Sequence, residues 1–190
     1  MTITIFGKGN MGTAIGDVLS RGGATIQHIE HGDPISRIEG DIVVLAVPYS
    51  ALSEIAAAYG DQLAARTVVD ITNPVDFATF DSLVVPAGSS AAAELQSLLP
   101  SAHVLKAFNT NFAATLASGA IGESTPTVLI AGDDADAKAA LAALVSAAGL
   151  AALDAGSLAR AHELESMGFL QLTLAAAEKI GWNAGFAVAR

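Results

Sequence analysis

Three glycines near the start of the chain are spaced as Gly-x-Gly-x-x-Gly directly after an apolar run, residues 3 to 6. They are Gly7, Gly9 and Gly12. The first allows a tight turn, the second lets the backbone approach a pyrophosphate because it has no Cβ, and the third lets a helix pack against its strand. A helix predicted from Asn10 to Arg21 would present its N-terminus to the anion. This motif predicts a dinucleotide-binding turn.

The residues after the second predicted strand bear on which dinucleotide binds. Glu30 lies about 20 residues beyond the glycines, where a carboxylate accepts a hydrogen bond from the ribose 2′-hydroxyl of NAD and repels the 2′-phosphate of NADP. His28, His31 and Arg37 are near in sequence, and a cation or an imidazole would accommodate the phosphate instead. The same stretch also resembles a set of metal ligands. Because adjacent side chains of a strand point to opposite faces, we expect no metal site there.

Three further strand ends carry side chains suited to a bound dinucleotide. The segment after the third strand offers small apolar groups to an adenine or ribose, although its proline would equally start a helix. The segment after the fourth combines two hydrogen-bonding side chains with a rigid turn and would hold a ribose or a carboxamide, or serve as a turn alone. The fifth places a cation, an amide and a hydroxyl where a nicotinamide would meet its hydride partner, with Phe108 expected in the core. The residues concerned are Ala46, Val47 and Pro48, then Thr72, Asn73 and Pro74, then Lys106, Ala107, Asn109 and Thr110.

Short apolar blocks of strand length alternate with helical blocks along the chain, which predicts an α/β fold with a mostly parallel sheet wrapped by helices. We expect seven strands, near residues 2–6, 24–29, 41–47, 67–71, 103–107, 127–131 and 151–154. The expected helices cover residues 10–21, 50–59, 91–99, 111–117, 134–148 and 157–180. Asp133 or Asp134 should cap the fifth helix, and Gly149 should follow its end. The last helix should cover the sheet or form a dimer interface, and residues 73–90 should be a functional loop or a covering flap.

Composition narrows the class of protein. With 190 residues and 52% hydrophobic content, the chain predicts a single domain over residues 1–190 with a small extension from about residue 150. The net charge is −10 and Lys and Arg number only 9, so we expect no nucleic-acid partner. The absence of cysteine excludes disulfides and thiolate chemistry. No apolar stretch approaches the ~20 residues of a membrane span, and no leader precedes the first strand, so we expect a cytoplasmic protein.

Taken together, these landmarks resemble the dinucleotide-binding family that includes the deazaflavin-dependent NADP oxidoreductases, whose hydride partner is coenzyme F-420. The matching stretches are residues 6–12, 69–74, 104–110, 131–134 and 154–158, with Leu164 and Glu165. The resemblance implies a doubly wound Rossmann fold, with the cofactor on residues 46–48, on residues 72–74 and on the turn, and the nicotinamide near residues 107–110. The turn residues are Gly7, Lys8, Gly9, Asn10, Met11 and Gly12.

Two departures from the family pattern leave the cofactor and the acceptor open. Family members usually follow the second strand with a Ser and an Arg or Lys that bind the 2′-phosphate, whereas this chain has Ile29, Glu30 and His31. NADP is therefore implied by the resemblance and NAD by Glu30. The chain also has little sequence before its last helix from which to build a large deazaflavin-binding lobe.

The leading functional hypothesis is an oxidoreductase that passes a hydride between NAD(P)H and a flat acceptor such as a flavin or deazaflavin. Such an acceptor requires no dedicated acid or base. A carbonyl or imine acceptor would require a proton donor, for which Lys106 and Thr110 are the nearest candidates. The alternatives are a small imine or carbonyl reductase and a non-enzymatic module that senses the dinucleotide through an oligomer interface. We expect a small-molecule acceptor as partner and a homodimer through the C-terminal helix.

Overall fold

The computed structural model describes residues 1–188 and contains a single seven-stranded sheet flanked by helices. The strands are β1 (Thr2–Phe6), β2 (Thr25–Ile29), β3 (Ile42–Leu45), β4 (Thr67–Asp70), β5 (His103–Lys106), β6 (Thr127–Gly132) and β7 (Ala151–Gly156). The α-helices are α1 (Asn10–Arg21), α2 (Leu52–Leu63), α3 (Ala91–Leu98), α4 (Ala113–Ser118), α5 (Ala135–Ala147) and α6 (Ala161–Ala176). Short 3-10 turns, Tyr49–Ala51 and Leu158–Arg160, precede α2 and α6.

The strand order is β2-β1-β3-β4-β5-β6-β7, and every neighbouring pair is parallel except β5 and β6. The predicted Rossmann-like α/β fold with a mostly parallel sheet is therefore confirmed. The chain moves outward from β1 to β2 and then returns to the other side of β1 as β3. Strand order reverses at this point, and in open α/β sheets the crevice beyond the carboxyl ends of two such strands is where ligands bind.

The sheet is buried on both faces, which explains the Val- and Ile-rich strands. One face packs Ile5, Val44 and Leu105 against α1, α4 and α5. The other packs Val43, Leu45, Val68 and Val104 against α2, α3 and the start of α6. Because both faces are covered, the strand ends are the places where the sheet can present chemistry to a ligand.

The observed ends of the fifth helix agree with those predicted from the sequence, whereas the ends of the last helix differ from the prediction. The Asp134 side chain accepts the backbone N–H of Ala137 at the start of α5, and Gly149, with φ +86°, follows its end. The last helix, expected over residues 157–180, starts later and stops at Ala176. There Glu178 adopts φ +57° and the Lys179 N–H bonds the Leu174 carbonyl, which closes the helix as a Schellman-type turn.

The C-terminal region thus has two parts. β7 completes the sheet, and the chain leaves the sheet only after Gly156. Beyond α6 the described residues form a non-helical segment that brings Trp182 back against Phe112, with ring centroids 5.1 Å apart. Among the six α-helices of residues 1–188, none is long and apolar enough to span a bilayer.

Candidate dinucleotide site at the carboxyl edge of the sheet

The glycine turn between β1 and α1 lies at the point where strand order reverses. The Gly7 N–H donates to the carbonyl of Ile29 at the end of β2. Ala46, which follows β3, donates its N–H to the carbonyl of Phe6 at the end of β1. Gly7 has φ +93°, and a Cβ on it would lie 2.3 Å from the Ala46 carbonyl oxygen. A Cβ on Gly12 would lie 2.4 Å from the carbonyl oxygen of Gly7. Only glycine fits at either position, so the protein's own backbone enforces both.

Gly9 differs from the other two glycines because a Cβ on it would meet nothing within 4 Å. Gly9 is also the N-cap residue of α1, and neither a capping side chain nor an acidic residue serves the first turn. The first N–H groups of a helix have no acceptor within it, so those of α1 are available to a ligand. Open space in front of an uncapped helix N-terminus fits a pyrophosphate.

Glu30 and His31 follow β2 directly, and both are exposed. Glu30 approaches Lys8 of the turn at 4.0 Å, and both side chains are more than half exposed. Its backbone N–H is held by the carboxylate of Asp33 at 2.8 Å. His28 lies beneath the turn instead, with Nδ1 3.2 Å from the Gly7 carbonyl oxygen. No group of three or more His, Asp or Glu side chains within residues 1–188 is placed to hold a metal ion.

A cleft of about 700 Å³ extends from the glycine turn along α1 to the ends of β4 and β5. It brings together six of the residues predicted for the cofactor. They are Lys8, Gly9, Asn10, Met11, Asn73 and Asn109. Gly7, Gly12, Ala46 and Val47 pack together under the turn rather than bordering the cleft, and Pro48 caps the 3-10 turn that follows. Thr72, Pro74 and Ala107 are buried behind it.

Two asparagines at the ends of β4 and β5 form a reciprocal pair in the wall of the cleft. Asn73 Nδ2 donates to the Asn109 carbonyl at 2.9 Å, and Asn109 Nδ2 donates both to Asn73 Oδ1 at 2.9 Å and to the Leu164 carbonyl at 2.8 Å. Gly168 of α6 permits this packing, because a Cβ there would lie 2.3 Å from Asn73 Oδ1. The pair therefore depends on α6 as well as on the sheet.

The segment after β5 reverses direction at Phe108, which has φ +62° and is fully buried in the core. A left-handed conformation of a bulky residue costs about 1–3 kcal/mol and persists only where surrounding packing enforces it. The reversal places both Asn109 and Asn111 in the cleft wall. The Oδ1 atoms of both side chains are buried and have no hydrogen-bond partner among the described residues.

Lys106 and Thr110, the sequence-based candidates for a proton donor, do not border the cleft. Lys106 is fully buried, and its Nζ lies 2.8 Å from Asp70 Oδ2, 2.7 Å from Glu165 Oε1 and 2.5 Å from the Thr72 carbonyl oxygen. Its protons are therefore held by internal acceptors. Thr110 is only 5% exposed. The expectation that either side chain reaches a substrate finds no support in this geometry.

Glu165 links this buried ion cluster to α3. Its carboxylate accepts the backbone N–H groups of Ala91 and Ala92 in the first turn of α3, at 2.9 and 3.4 Å. Burial raises the pKa of the Glu165 carboxyl, and the ion pair with Lys106 acts in the opposite direction. Nearby, the Tyr49 hydroxyl donates to Glu94 Oε2 at 2.5 Å, and this hydrogen bond raises the pKa of Tyr49 to about 12.

The cleft also contains residues that sequence reasoning did not select. Asn111 and Phe112 follow the matched segment at β5 directly, so extending that segment by two residues would have found them. Asp17 lies one turn beyond the glycine motif on α1, and Trp182 is the single tryptophan of the chain. Trp182 carries no local signal, because only the termination of α6 brings it to the cleft.

Comparison with known proteins supports the fold. No family model matches the chain. Metalloreductase STEAP3 of Rattus norvegicus is 36% identical over 126 residues, which are 66% of this chain and 24% of that protein. The chain thus spans about a quarter of the length of this curated relative.

Two solved structures share the fold over most or all of the chain. A candidate F-420-dependent NADP reductase from Arthrobacter sp. FB24 is 24% identical, with a TM-score of 0.86 and 100% of both chains covered. A hypothetical protein from Sinorhizobium meliloti is 28% identical, with a TM-score of 0.70, covering 84% of this chain and 86% of that one. The resemblance seen in the sequence is thereby confirmed at the level of the fold. The chain has the Rossmann-like architecture of proteins described as reductases.

Proposed function

We propose that this protein is an NAD(P)H-dependent oxidoreductase that reduces a flat, conjugated small molecule. The observation that carries the proposal is the uncapped N-terminus of α1 behind Gly9, with a cleft leading from it to Asn73 and Asn109. The reductases named among the similar proteins support the same class of chemistry.

In this proposal, residues at the strand ends would hold the dinucleotide. The N–H groups of the first turn of α1 and Lys8 would hold the pyrophosphate, Glu30 and His31 would serve the adenosine ribose, and the segment Ala46 to Pro48 would serve the adenosine. Asn73 and Asn109 would serve the nicotinamide. A bound reduced cofactor would supply a hydride, which gives the acceptor two electrons and a proton, and any second proton would come from water. The protein's part is to hold both rings in contact and to exclude water between them.

The burial of Lys106 favours a flavin-like ring over a carbonyl or imine. A carbonyl or imine needs a proton donor at the reacting atom, whereas a flavin-like ring needs only hydride at the ring. Among the described residues that line the cleft, only Lys8 and Asp17 carry a charged side chain, and both are exposed rather than set among the asparagines. A flavin, a deazaflavin or another conjugated ring therefore fits better than a cyclic imine.

NADP is the cofactor that the similar reductase supports, and Glu30 with Lys8 is the local feature that decides the preference. A carboxylate at this position favours NAD, but its neighbouring lysine would pair with a 2′-phosphate if Glu30 turned aside. We therefore propose that the protein binds NADP, and that the Glu30 carboxylate lowers its affinity for NADP relative to its affinity for NAD.

A dinucleotide-sensing module is the competing function, and the space opposite Asn109 argues against it. A sensor needs no cleft beyond the nicotinamide, whereas this cleft continues to Phe112, Leu172 and Trp182.

We also propose that the exposed apolar side chains of α6, Met167 and Leu170, form a homodimer interface.

Titration of intrinsic fluorescence tests the proposed function directly. Trp182 is the only tryptophan, so energy transfer from it to a bound reduced nicotinamide reports a ring held in the cleft. We expect saturable quenching by NADPH or NADH, followed by oxidation of the cofactor when flavins, deazaflavins, quinones and imines are offered in turn. Saturable quenching without turnover by any member of the panel would favour the sensor, and absence of quenching would reject the site.

A further inference from the structure

His28 holds the carbonyl group of the first glycine of the turn. Its Nδ1 lies 3.2 Å from the Gly7 carbonyl oxygen, and a Cβ on Gly16 of α1 would lie 3.5 Å from its Nε2. The same carbonyl oxygen lies against Gly12, where a Cβ would be only 2.4 Å away. The Gly7 carbonyl is thus confined between the backbone of α1 and one polar side chain.

The partner of His28 determines which ring nitrogen can titrate. A carbonyl oxygen only accepts hydrogen bonds, so Nδ1 must carry a proton whether the ring is neutral or charged. Nε2, which has no hydrogen-bond partner within residues 1–188, is then the atom that gains or loses a proton. Histidine ordinarily changes its charge between about pH 5 and 8. A positive charge can therefore appear beside the turn while the hydrogen bond to Gly7 is kept.

The hydrogen bond from His28 also fixes the direction of the next backbone N–H. The peptide between Gly7 and Lys8 is trans, so its C=O and N–H point in opposite directions. Because the C=O points to His28, the Lys8 N–H points to the other side of the turn, where it has no acceptor among the described residues. A donor on the C=O side polarises the peptide and makes its N–H a stronger donor to an anion.

The charged groups around His28 provide it with no paired counter-charge. The turn carries Lys8, and α1 carries Asp17 in the cleft wall and Arg21, which donates to a backbone carbonyl of α4. β1 carries no titratable side chain. The segment after β2 carries Glu30, His31 and Asp33, all exposed. Within the part of the chain that the structure describes, no carboxylate forms an ion pair with His28, so a bound pyrophosphate would be its counter-charge.

We propose that His28 is a positioning residue: through the Gly7 carbonyl it orients the Lys8 N–H toward the pyrophosphate of the dinucleotide, and protonation of its Nε2 strengthens that binding. This inference rests on the proposed function and deepens it, because it adds proton-linked control of cofactor affinity to the glycine turn. Affinity should be highest below the pH range in which histidine titrates, and the gain should be lost as the pH rises through that range.

Calorimetric titration with ADP-ribose between about pH 5.5 and about pH 8.5 tests the proposal. This ligand contains the pyrophosphate but lacks the nicotinamide and any 2′-phosphate that would itself titrate. We expect wild-type protein to bind it at least about threefold more tightly at the lower pH than at the higher. His31 is kept in every variant, so its own titration cancels in the ratio of each variant to wild type.

Two substitutions of His28 separate the charge from the hydrogen bond. In His28→Asn the amide Nδ2 takes the place of the ring Nδ1 but cannot gain a proton, so affinity at about pH 8.5 should stay within about twofold of wild type and the gain at low pH should disappear. His28→Leu removes the donor and should weaken binding at least about threefold throughout the pH range.

His162→Asn is the matched control, because His162 Nδ1 also contacts a backbone carbonyl oxygen, that of Ser89 at 3.0 Å, outside the lining of the cleft. Its pH profile should follow that of wild type. Thermal unfolding checks that each variant is folded. Nitrogen-15 chemical shifts of wild-type protein should also show that neutral His28 carries its proton on Nδ1, a result that does not depend on any variant.

The inference is overturned by a flat wild-type profile, by a His28→Asn profile that still rises at low pH as in wild type, by wild-type affinity in His28→Leu, or by a neutral ring protonated on Nε2. Binding of ADP-ribose that is indifferent to His28 would leave the proposed function standing. Absence of binding at every pH would overturn both.

Discussion

The three glycines of the turn are constrained in opposite ways. Gly7 and Gly12 are confined by the backbone that they touch, so any side chain at either position displaces the turn or the end of β3. Gly9 faces open space, so a side chain there costs the free protein little and is felt only by a ligand. The same motif therefore contains two structural positions and one that a bound dinucleotide alone would require.

Gly9→Val is expected to separate binding from stability. Its branched side chain would occupy the space in front of the N-terminus of α1, and we expect the Kd for NAD(P)H to rise at least about tenfold, which is ~1.4 kcal/mol. Fluorescence titration measures the Kd, and thermal unfolding should show little change. Gly60→Val is the matched control, since a Cβ on Gly60 meets only a Leu99 methyl at an ordinary 3.8 Å. Undiminished binding by Gly9→Val would place the pyrophosphate elsewhere.

Glu30 is expected to control the choice between NADPH and NADH. Removing its carboxylate in Glu30→Ala frees Lys8 and abolishes repulsion of a 2′-phosphate, so NADPH should gain affinity relative to NADH. The exposed Lys8–Glu30 pair contributes less than about 1 kcal/mol, so the fold should be unaffected. Titrating both cofactors gives the ratio of the two Kd values, with Glu39→Ala as control for a lost surface charge. An unchanged ratio would show that Glu30 does not contact the ribose.

Titration of the Tyr49 hydroxyl measures its hydrogen bond to Glu94, in the segment that follows Pro48. Its pKa is raised to about 12 from 10.0, first by its hydrogen bond to Glu94. Because the folded-state pKa lies above the unfolded value, the stabilisation is fully present below pH 10.0 and is lost as the pH rises toward 12. In a Tyr59→Phe background Tyr49 is the only tyrosine, and its phenolate absorbance should appear near pH 12. Adding Glu94→Gln should move the midpoint downward, and an unmoved midpoint would contradict this assignment.

At the scale of elements, the buried cluster of Lys106, Asp70 and Glu165 joins β5, β4 and α6 behind the cleft wall. Asp70 and Lys106 each lie three positions before an asparagine of the pair, and Glu165 directly follows Leu164, whose carbonyl accepts from Asn109. Removing one partner of a buried ion pair costs about 3–5 kcal/mol. The cluster thus fixes where α6 meets the sheet, and with it the position of Asn73 and Asn109.

Glu165→Gln tests that positioning role. The change keeps the shape of the side chain while removing its charge, so the fold should survive with a lower unfolding temperature. If α6 sets the asparagine pair beside the nicotinamide, the variant should weaken the binding of the preferred dinucleotide more than that of the matching ADP-ribose, which lacks the nicotinamide. Glu163→Gln, an exposed change on the same helix, is the control. Equal loss for both ligands would indicate a purely structural cluster.

The secondary-structure elements show which features the sequence predicts and which it does not. The strand and helix pattern, the caps of α5 and the glycine turn depend on neighbouring residues, and these were predicted well. The end of α6 was predicted wrongly because no glycine marks it; Glu178 supplies the left-handed residue instead. Lys106 was expected at the cleft because strand ends meet there. Its partner Glu165 lies 59 positions away, so only the tertiary structure reveals that the lysine is buried.

The net charge of the molecule affects the binding of anionic ligands, whereas its exposed apolar surface bears on contact with a second copy of the chain. A net charge of −10 is unfavourable for anionic ligands in general, so the few groups that attract them, the first turn of α1 and Lys8, must be local. One group of exposed apolar side chains lies toward the C-terminal end, where Met167, Leu170, Trp182 and Phe186 are all at least 36% exposed. If the proposed homodimer forms through these side chains, the second copy of the chain would lie near the end of the cleft that Leu172 and Trp182 line.

Leu170 and Leu98 provide a matched test of that arrangement, because each is 52% exposed, one on α6 and the other on α3. If α6 forms the homodimer interface, Leu170→Asp buries a charge between two copies and should shift the protein to a monomer in sedimentation velocity. Leu98→Asp should leave the oligomeric state unchanged, since that leucine lies outside the patch. Because Leu172 borders the cleft two residues away, dissociation should also alter flavin affinity while Gly9-dependent dinucleotide binding persists. A wild-type protein that sediments as a monomer at all concentrations would reject the interface.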